Sequence, residues 1–222
     1  MEDYRFTTDW FSWNIANWRT WLAPLAGKPN VKFLEIGCYE GRATVWLLGN
    51  ILSHETAKID CLDIFLDLAS TGADTSSYES RFDYNIKTDP GRNKVRKIKA
   101  ASQEALRNLE LYWYDAIYID GSHTACDVLE DAVLAFRLLR PGGVMIFDDY
   151  EWTGSNRASG NSPYCSCGPN PWLTPRMAID SFLHVYEGQY ELLAKAYQVA
   201  ILKKSNEVDS QNSAPPLISS ET

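Results

Sequence analysis

Short apolar runs alternate with helix-like segments through most of the chain. Five runs of strand length cover residues 31–36, 58–62, 95–100, 115–119 and 144–147. Helix-like segments follow them at 42–52, 102–111 and 124–139. Strands that alternate with helices are typical of a parallel sheet with helices on both faces. The pattern therefore predicts an α/β domain.

The last two strands are joined differently from the first five. Residues 190–195 and 197–203 both have strand patterns and are separated by a very short joint. A parallel crossover needs a dozen residues or more, so only an antiparallel hairpin fits. We therefore expect five parallel strands and a C-terminal antiparallel hairpin.

The N-terminal region has its own apolar pattern, with apolar residues at 11, 15, 18, 22 and 25. This spacing predicts a helix over 9–23, with Asp9 as its N-cap and Pro24 after its end. We expect its tryptophans to pack in the core. Residues 1–30 would form a helical segment packed on a domain of residues 31–204, and residues 205–222 a disordered polar tail.

Two long polar segments, 65–93 and 151–174, follow strand ends, and connections of this length are usually lids or binding loops. Helices are predicted over 78–87 in the first and from Thr174-Pro175 to about 186 after the second. Thr124 to Asp127 matches a capping box, and Pro141-Gly142-Gly143 should end a helix and begin the fifth strand.

Composition narrows the functional classes. The net charge of −8 argues against nucleic acid or an anionic membrane as the main partner. No apolar run approaches the length of a membrane span, and no signal peptide begins the chain. The five cysteines are scattered without metal-finger spacing, so we expect reduced thiols in a cytoplasmic protein.

The first strand leads into a glycine-bracketed turn, Glu35-Ile36-Gly37-Cys38-Tyr39-Glu40-Gly41. Glycines let the backbone turn sharply and approach a ligand without a Cβ in the way. Glu35 can accept hydrogen bonds from two ribose hydroxyls or from a cationic amine. The spacing differs from the Gly-x-Gly-x-x-Gly of dinucleotide-binding proteins, so a pyrophosphate is not the indicated ligand.

Acidic residues follow the strands at their carboxyl ends. Because the ends of parallel strands share one edge of the sheet, we expect these carboxylates to converge on one crevice. A bound cation would relieve their repulsion, and oxygen ligands suit Mg²⁺, Mn²⁺ or Ca²⁺. The residues concerned are Glu35, Asp63, Asp120, Asp148 and Asp149.

Three stretches together resemble the class I S-adenosylmethionine-dependent methyltransferases of the Methyltransf_24 family. They are Glu35 to Gly41, Ile119-Asp-Gly-Ser-His123, and Leu139 to Gly143 with Asp148-Asp149. The resemblance covers roughly residues 11–203 and implies a Rossmann-like, seven-stranded, mostly parallel sheet. The family is similar to metal-dependent catechol-type enzymes and to O-methyltransferases that act on macrolide sugars.

The resemblance implies a cofactor site. Glu35, Gly37, Tyr39 and Gly41 would surround the methionine part of S-adenosylmethionine, and Asp120 would also contact the cofactor. Asp63 would bind the ribose hydroxyls, with Ser102 and Gln103 near the adenine.

The resemblance also implies a metal and a base. Asp120, Asp148 and Asp149 would hold a divalent ion such as Mg²⁺, and His123 would be the catalytic base beside Asp120. The catechol enzymes carry Asp-Asn where this chain has Asp148-Asp149, and they use a lysine as base. This difference favours the sugar-type arrangement.

The sequence thus predicts a methyltransferase that methylates a hydroxyl of a small molecule, sugar-like or another natural product, with metal assistance. Its partner would be that acceptor. The sequence does not decide whether the protein also forms a homo-oligomer. One alternative is a nicotinamide-dependent oxidoreductase, which the missing Gly-x-Gly-x-x-Gly disfavours. Another is a non-catalytic binding protein of the same fold, against which the intact acidic set with His123 argues.

Overall fold

A seven-stranded sheet forms the centre of the computed structural model, which describes residues 3–66, 77–152 and 174–205. Its strands are β1 (Lys32–Ile36), β2 (Lys58–Asp63), β3 (Val95–Lys99), β4 (Tyr114–Ile119), β5 (Leu139–Phe147), β6 (Tyr190–Lys195) and β7 (Val199–Lys203). Their order is β3-β2-β1-β4-β5-β7-β6. Strands β1 to β5 are parallel, and β7 runs antiparallel to both β5 and β6. The predicted parallel sheet with a C-terminal antiparallel hairpin is confirmed.

Helices cover both faces of the sheet. They are α1 (Ile15–Trp21), α2 (Arg42–Asn50), α3 (Tyr78–Thr88), α4 (Ser102–Ala105), α5 (Ala125–Leu138) and α6 (Pro175–Val185). Successive strand residues point to opposite faces, so Phe33 packs with Trp18 and Leu47 while Leu34 packs in the cluster that contains Phe136 and Phe182. The sheet therefore lies between two apolar layers.

The N-terminal helix is shorter than the apolar spacing predicts. A 3₁₀ turn, Ser12–Asn14, precedes α1, and a second, Ala23–Leu25, follows it. The N-cap of the first turn is Phe11 and not Asp9 as predicted, but Oδ1 of Asp9 accepts the backbone N–H groups of Phe11 and Ser12 at 3.2 and 2.9 Å.

Only part of the N-terminal tryptophan set lies in the core. Trp18 is fully buried, whereas Trp10 is 62% and Trp13 56% exposed. The expectation of core packing was therefore wrong for Trp10 and Trp13.

Other local predictions were also wrong. The helix expected over 102–111 ends at Ala105 and continues only as a 3₁₀ turn. The side chain of Thr124 forms no cap, and the Ser122 hydroxyl instead accepts the Thr124 N–H and donates to Asp127. Strand β5 already begins at Leu139, so the Pro-Gly-Gly turn lies inside the strand.

Cysteine pairing differs from the expectation of five reduced thiols. Cys38 and Cys61 are free and buried, whereas Cys126 is disulfide-bonded. The predicted tail lies outside the described residues except for residue 205, as do 67–76 and 153–173 of the two long connections. Within the described ranges, no helix is long and apolar enough to cross a membrane.

Candidate active site

The loop after β1 is built around Gly37. Its φ is +84°, and a Cβ at this position would lie 1.9 Å from the carbonyl oxygen of Asp120. Its N–H donates to the carbonyl of Leu62 at 2.8 Å. Only glycine fits here, and the contact holds the carboxyl ends of β1, β2 and β4 together. Because β2 and β4 flank β1 on opposite sides, this is the switch point where open α/β sheets bind ligands.

Asp63 shapes this loop. Its Oδ2 accepts the backbone N–H groups of Cys38 and Tyr39, both at 2.9 Å, and its Oδ1 accepts that of Phe65 at 2.8 Å. The hydroxyl of Tyr78 lies 3.4 Å from the same Oδ1. The carboxylate predicted to bind ribose therefore lies at the crevice and already organises the loop.

Aromatic rings cover the outer side of the loop. Tyr39 has a φ of +47°, and its ring stacks on Tyr78 with 5.2 Å between centroids. Trp10 lies on Tyr39 at 5.3 Å. Gly41 has a φ of +81°, and a Cβ there would meet the Phe82 ring at 3.0 Å. Tyr39 and Gly41 thus belong to the same wall of the crevice as Asp63.

Glu35 lies beneath this loop and is 1% exposed. Its Oε2 accepts the Thr44 hydroxyl of α2 at 2.5 Å. Burial raises the pKa of Glu35 to about 8, so this carboxyl keeps its proton at neutral pH. Its predicted contact with the cofactor stays a prediction, since the side chain faces α2.

Glu35 also lies with Cys38 and Cys61 in a group whose ligand atoms are within 4.8 Å of one another. Burial raises the pKa of both thiols, so all three groups are protonated near neutral pH. A metal would have to displace three protons here. The group is therefore a buried hydrogen-bonded cluster.

A tyrosine joins two of the predicted metal ligands. The hydroxyl of Tyr118 lies 2.8 Å from Oδ2 of Asp120 and also contacts Oδ2 of Asp148. Gln198 donates to the same Asp148 oxygen at 2.9 Å, and Trp18 Nε1–H donates to Gln198 at 2.8 Å. The N-terminal helix α1 is thus connected to Asp148 through the side-chain amide of Gln198.

The acidic group is electrostatically strained. Burial and the nearby charges of Asp148 and Asp149 raise the pKa of Asp120 well above its usual range. Burial and Asp149 raise the pKa of Asp148 to about 6. In the described part of the chain, no Lys or Arg forms an ion pair with Asp120 or Asp148. Among the described residues, the donors to these two carboxylates are neutral: the Tyr118 hydroxyl, the Gln198 amide and the backbone N–H of Asp149.

His123 pairs with the third acid. Its Nε2 lies 2.7 Å from Oδ2 of Asp149, and the Tyr197 hydroxyl donates to the other oxygen at 2.8 Å. The Trp152 ring lies 4.7 Å from the imidazole. Asp149 has a φ of +58°, which gives the bend after Phe147 that the convergence of the acid pair requires. The imidazole is one-third exposed and therefore accessible to solvent.

The predicted residues are brought together in three subsets. Gly37, Tyr39, Gly41 and Asp63 form one wall, and Asp120 with Asp148 and the His123–Asp149 pair form the other. Ser102 and Gln103 begin α4 beside the end of β3, where Ser102 is half-buried and Gln103 buried. Among the described residues, Asp120, Asp148 and Asp149 do not bring three ligand atoms within 4.8 Å of one another.

Sequence reasoning missed Tyr118, Gln198 and Tyr197. Tyr118 lies two residues before Asp120 on the same strand, so the period of two along a strand was an available signal. The two hairpin residues come from a distant part of the chain, and only the antiparallel pairing of β5 with β7 brings them to the site.

Solved structures share this fold. An O-methyltransferase from Bacillus cereus in complex with SAH is 17% identical with a TM-score of 0.60, over 89% of this chain and 84% of that one. The SAH-bound methyltransferase PaMTH1 of Podospora anserina is 20% identical, with a TM-score of 0.57 over 88% and 77%. The O-methyltransferase TomG from Streptomyces achromogenes, in complex with SAM, is 14% identical, with a TM-score of 0.57 over 83% and 76%. These likenesses confirm the fold.

The family is shown by the sequence itself. No curated protein matches the chain significantly. The model of the family Methyltransf_24, a methyltransferase domain, matches residues 34–150, just over half of the chain. This stretch contains the Gly37 loop, the Asp63 carboxylate and the His123–Asp149 pair. The chain is therefore a class I S-adenosylmethionine-dependent methyltransferase of the Methyltransf_24 family.

Proposed function

We propose that the protein transfers the methyl group of S-adenosylmethionine to a hydroxyl oxygen of a small molecule, with help from a divalent metal ion. The single observation that carries the proposal is the His123–Asp149 pair, 2.7 Å apart, next to the carboxylates of Asp120 and Asp148. A base at this edge suits an acceptor whose proton must be removed. The proposed acceptors are sugar-like molecules and other natural products.

The loop wall would hold the cofactor. Asp63 would accept hydrogen bonds from the ribose hydroxyls while it keeps the loop N–H groups in place. Gly37, Tyr39 and Gly41 would lie along the methionine part, with Ser102 and Gln103 near the adenine. The methyl group of a sulfonium needs little activation, so the main tasks of the protein are alignment and proton removal.

The acid wall would act on the acceptor. With its Nε2–H donating to Asp149, the neutral imidazole of His123 has Nδ1 free to accept the hydroxyl proton. Asp149 would hold the ring in that orientation and stabilise the imidazolium that forms. The hydrogen bond from Tyr197 fixes the Asp149 carboxylate.

The carboxylate donors of the acid wall suit a hard divalent cation by their chemistry. The side chains would have to move closer together to share one ion, since their three ligand atoms do not lie within 4.8 Å of one another. These carboxylates repel one another, and in the described ranges no Lys or Arg pairs with Asp120 or Asp148. Asp120, Asp148 and Asp149 would hold the ion. When bound, the ion would lower the pKa of the acceptor hydroxyl.

A two-stage experiment tests this proposal. Thermal-shift assays should show stabilisation by S-adenosylmethionine and S-adenosylhomocysteine but not by NAD. Release of S-adenosylhomocysteine should then be followed with a panel of sugars, phenols and amines in Mg²⁺ and in EDTA. We expect turnover only with hydroxyl acceptors, reversible loss in EDTA and recovery with Mg²⁺. Turnover with amines alone would contradict O-methylation, and full activity in EDTA would exclude the metal while leaving the His123 base.

A further inference from the structure

A cavity opens at the amino end of the parallel strands, opposite the candidate active site. It has a volume of about 510 Å³, within the range of small-molecule sites. Residues at or next to the beginnings of four neighbouring strands line it, together with the turn that follows α4. The side chains used below are Lys32, Lys58, Lys94, Arg96, Trp113 and Tyr114.

The lysines of this cavity are aligned by the sheet. Lys32 and Lys58 are direct register partners on β1 and β2, so their side chains leave the same face of the sheet. Like charges directly opposite each other on neighbouring strands are destabilising. Lys94, just before β3, also lines the cavity, and its ammonium donates to the carbonyl of Leu52, outside the lining.

The three lysines have no carboxylate partner in the described part of the chain. Within the described ranges, none of the three lysines forms an ion pair. Lys58 donates to the carbonyl of Asn93 at 3.2 Å and Lys94 to that of Leu52. The ammonium of Lys32 lies 5.3 Å from the centre of the Trp113 ring. All three thus have neutral partners, in a chain whose net charge is −8.

Two acids, Asp60 and Glu110, line the cavity. The first of them is already engaged. Asp60 accepts Nε–H and Nη2–H of Arg96 at 2.8 and 2.5 Å, and the Tyr114 hydroxyl also donates to it at 2.5 Å. This bidentate pair neutralises Arg96 and leaves Asp60 little charge to offer the lysines. With the charge of Glu110 counted against the lysines, the cavity keeps a smaller excess of positive charge beside the ring of Trp113, which is 43% exposed.

We propose that this cavity binds a small molecule that carries a phosphate group. Lysine binds phosphate as a point charge and needs no fork geometry, whereas the one arginine is committed to Asp60. A phosphate monoester carries about −1.5 to −2 charges at neutral pH, which suits several unpaired ammonium groups better than a single carboxylate does. The exposed face of Trp113 would cover an apolar or ring-shaped part of the ligand.

Calorimetry with pyrophosphate at about 0.15 M ionic strength tests the site, with citrate as the carboxylate counterpart. We expect saturable one-to-one binding of pyrophosphate and at least tenfold weaker binding of citrate. Lys32→Gln combined with Lys58→Gln should weaken pyrophosphate binding about tenfold or more. The matched control combines Lys28→Gln with Lys87→Gln, which removes the same charge from exposed positions outside the cavity and should change affinity less than twofold.

The unliganded double variant gives an independent measurement. Because Lys32 and Lys58 repel each other, their replacement should leave the protein folded and raise its Tm by about 1–3 °C. If the double variant does not fold, Lys58→Gln alone replaces it, since the hydrogen-bond partner of this exposed side chain within the described ranges is a backbone carbonyl. No saturable binding to the wild type would overturn the proposal. Equal weakening in the control pair, or citrate binding as tightly as pyrophosphate, would overturn it as well.

Discussion

The two ends of the parallel strands carry opposite charges but hold them in different ways. At the carboxyl ends, Asp148 is 7% and Glu35 1% exposed, and hydroxyl, thiol or amide groups satisfy their oxygens. At the amino ends, Lys58 and Arg96 are exposed and Lys32 is half-buried. One end therefore buries crowded carboxyl groups, whose pKa values are raised, whereas the other leaves its lysines and arginine close to water.

Because of this difference, the buried acids are stronger evidence of a functional site than the exposed lysines. Burying like charges together raises the pKa of Asp120 and Asp148, and such a cost usually persists only at functional sites. An exposed lysine costs little and by itself says nothing. At the amino end only the alignment of Lys32 with Lys58 and the absence of ion pairs for them among the described residues are informative.

The largest effect should come from His123, because the proposed chemistry at the carboxyl end depends on it. His123→Ala should lower the methylation rate about 10²–10⁴-fold, since a positioned general base contributes that much. Calorimetry should show unchanged affinity for S-adenosylhomocysteine. Gln substitution of Glu55, an exposed residue outside the carboxyl-end crevice, is the control and should leave the rate unchanged. Equal activity of His123→Ala and wild type would make His123 a structural residue.

Two glycines, one at each end of the parallel strands, allow the backbone constraints of the two ends to be compared. Gly37 and Gly142 both have positive φ, but a Cβ at Gly37 would strike the Asp120 carbonyl at 1.9 Å whereas nothing lies within 4 Å at Gly142. Gly37→Ala should cost about 3 kcal/mol or more of unfolding free energy and abolish cofactor binding. Gly142→Ala should cost about 1 kcal/mol, from its φ alone. Urea unfolding of both variants checks this, and equal costs would contradict the close approach as the cause.

Much of the fold could be predicted because the signals are local. The alternation of apolar runs and helical segments fixed β1 to β5, and the short joint before Val199 required a hairpin. Two local predictions failed: Trp10 and Trp13 lie outside the apolar spacing of residues 11, 15, 18, 22 and 25 and are on the solvent side, and Ser122 replaced Thr124 as the capping group.

The candidate site was predictable in part for the same reason. Acids at strand ends converge by topology, so Asp63, Asp120 and the pair after β5 could be placed at one edge. The partners that orient them could not be found in this way. Gln198 and Tyr197 reach the acids through the pairing of β5 with β7. The spacing of residues along the sequence does not predict that contact. Glu35 ends on the core side because its position on β1 faces α2.

The buried carboxyl of Glu35 gives a test by pH. Its pKa is raised from 4.5 to about 8 by burial, so the folded state binds a proton that the unfolded state releases above pH 4.5. The free energy of unfolding should therefore fall as pH rises from about 4.5 to 8. Glu35→Gln should remove the part of this slope that comes from Glu35, on the order of 5 kcal/mol at most, and leave the part that comes from Asp120 and Asp148. Urea unfolding at pH 5.5, 7 and 8.5 measures it, and parallel profiles for variant and wild type would show that Glu35 ionises normally.

The smallest effect concerns Asp63, where the carboxyl end meets the cofactor. A charged hydrogen-bond partner is typically worth ~1.5–3 kcal/mol, so Asp63→Ala should weaken S-adenosylmethionine binding roughly tenfold to over a hundredfold. Part of that loss would come from the loop, because Asp63 also accepts the N–H groups of Cys38 and Tyr39. Tyr78→Phe is the matched control: it removes only a hydroxyl 3.4 Å from the same carboxylate and should change affinity less than twofold. Comparing S-adenosylhomocysteine with its 2′-deoxyribose analogue separates the two roles of Asp63. If Asp63 binds the ribose, the wild type should prefer the ribose form and Asp63→Ala should lose that preference; if it serves the loop alone, both ligands should weaken equally.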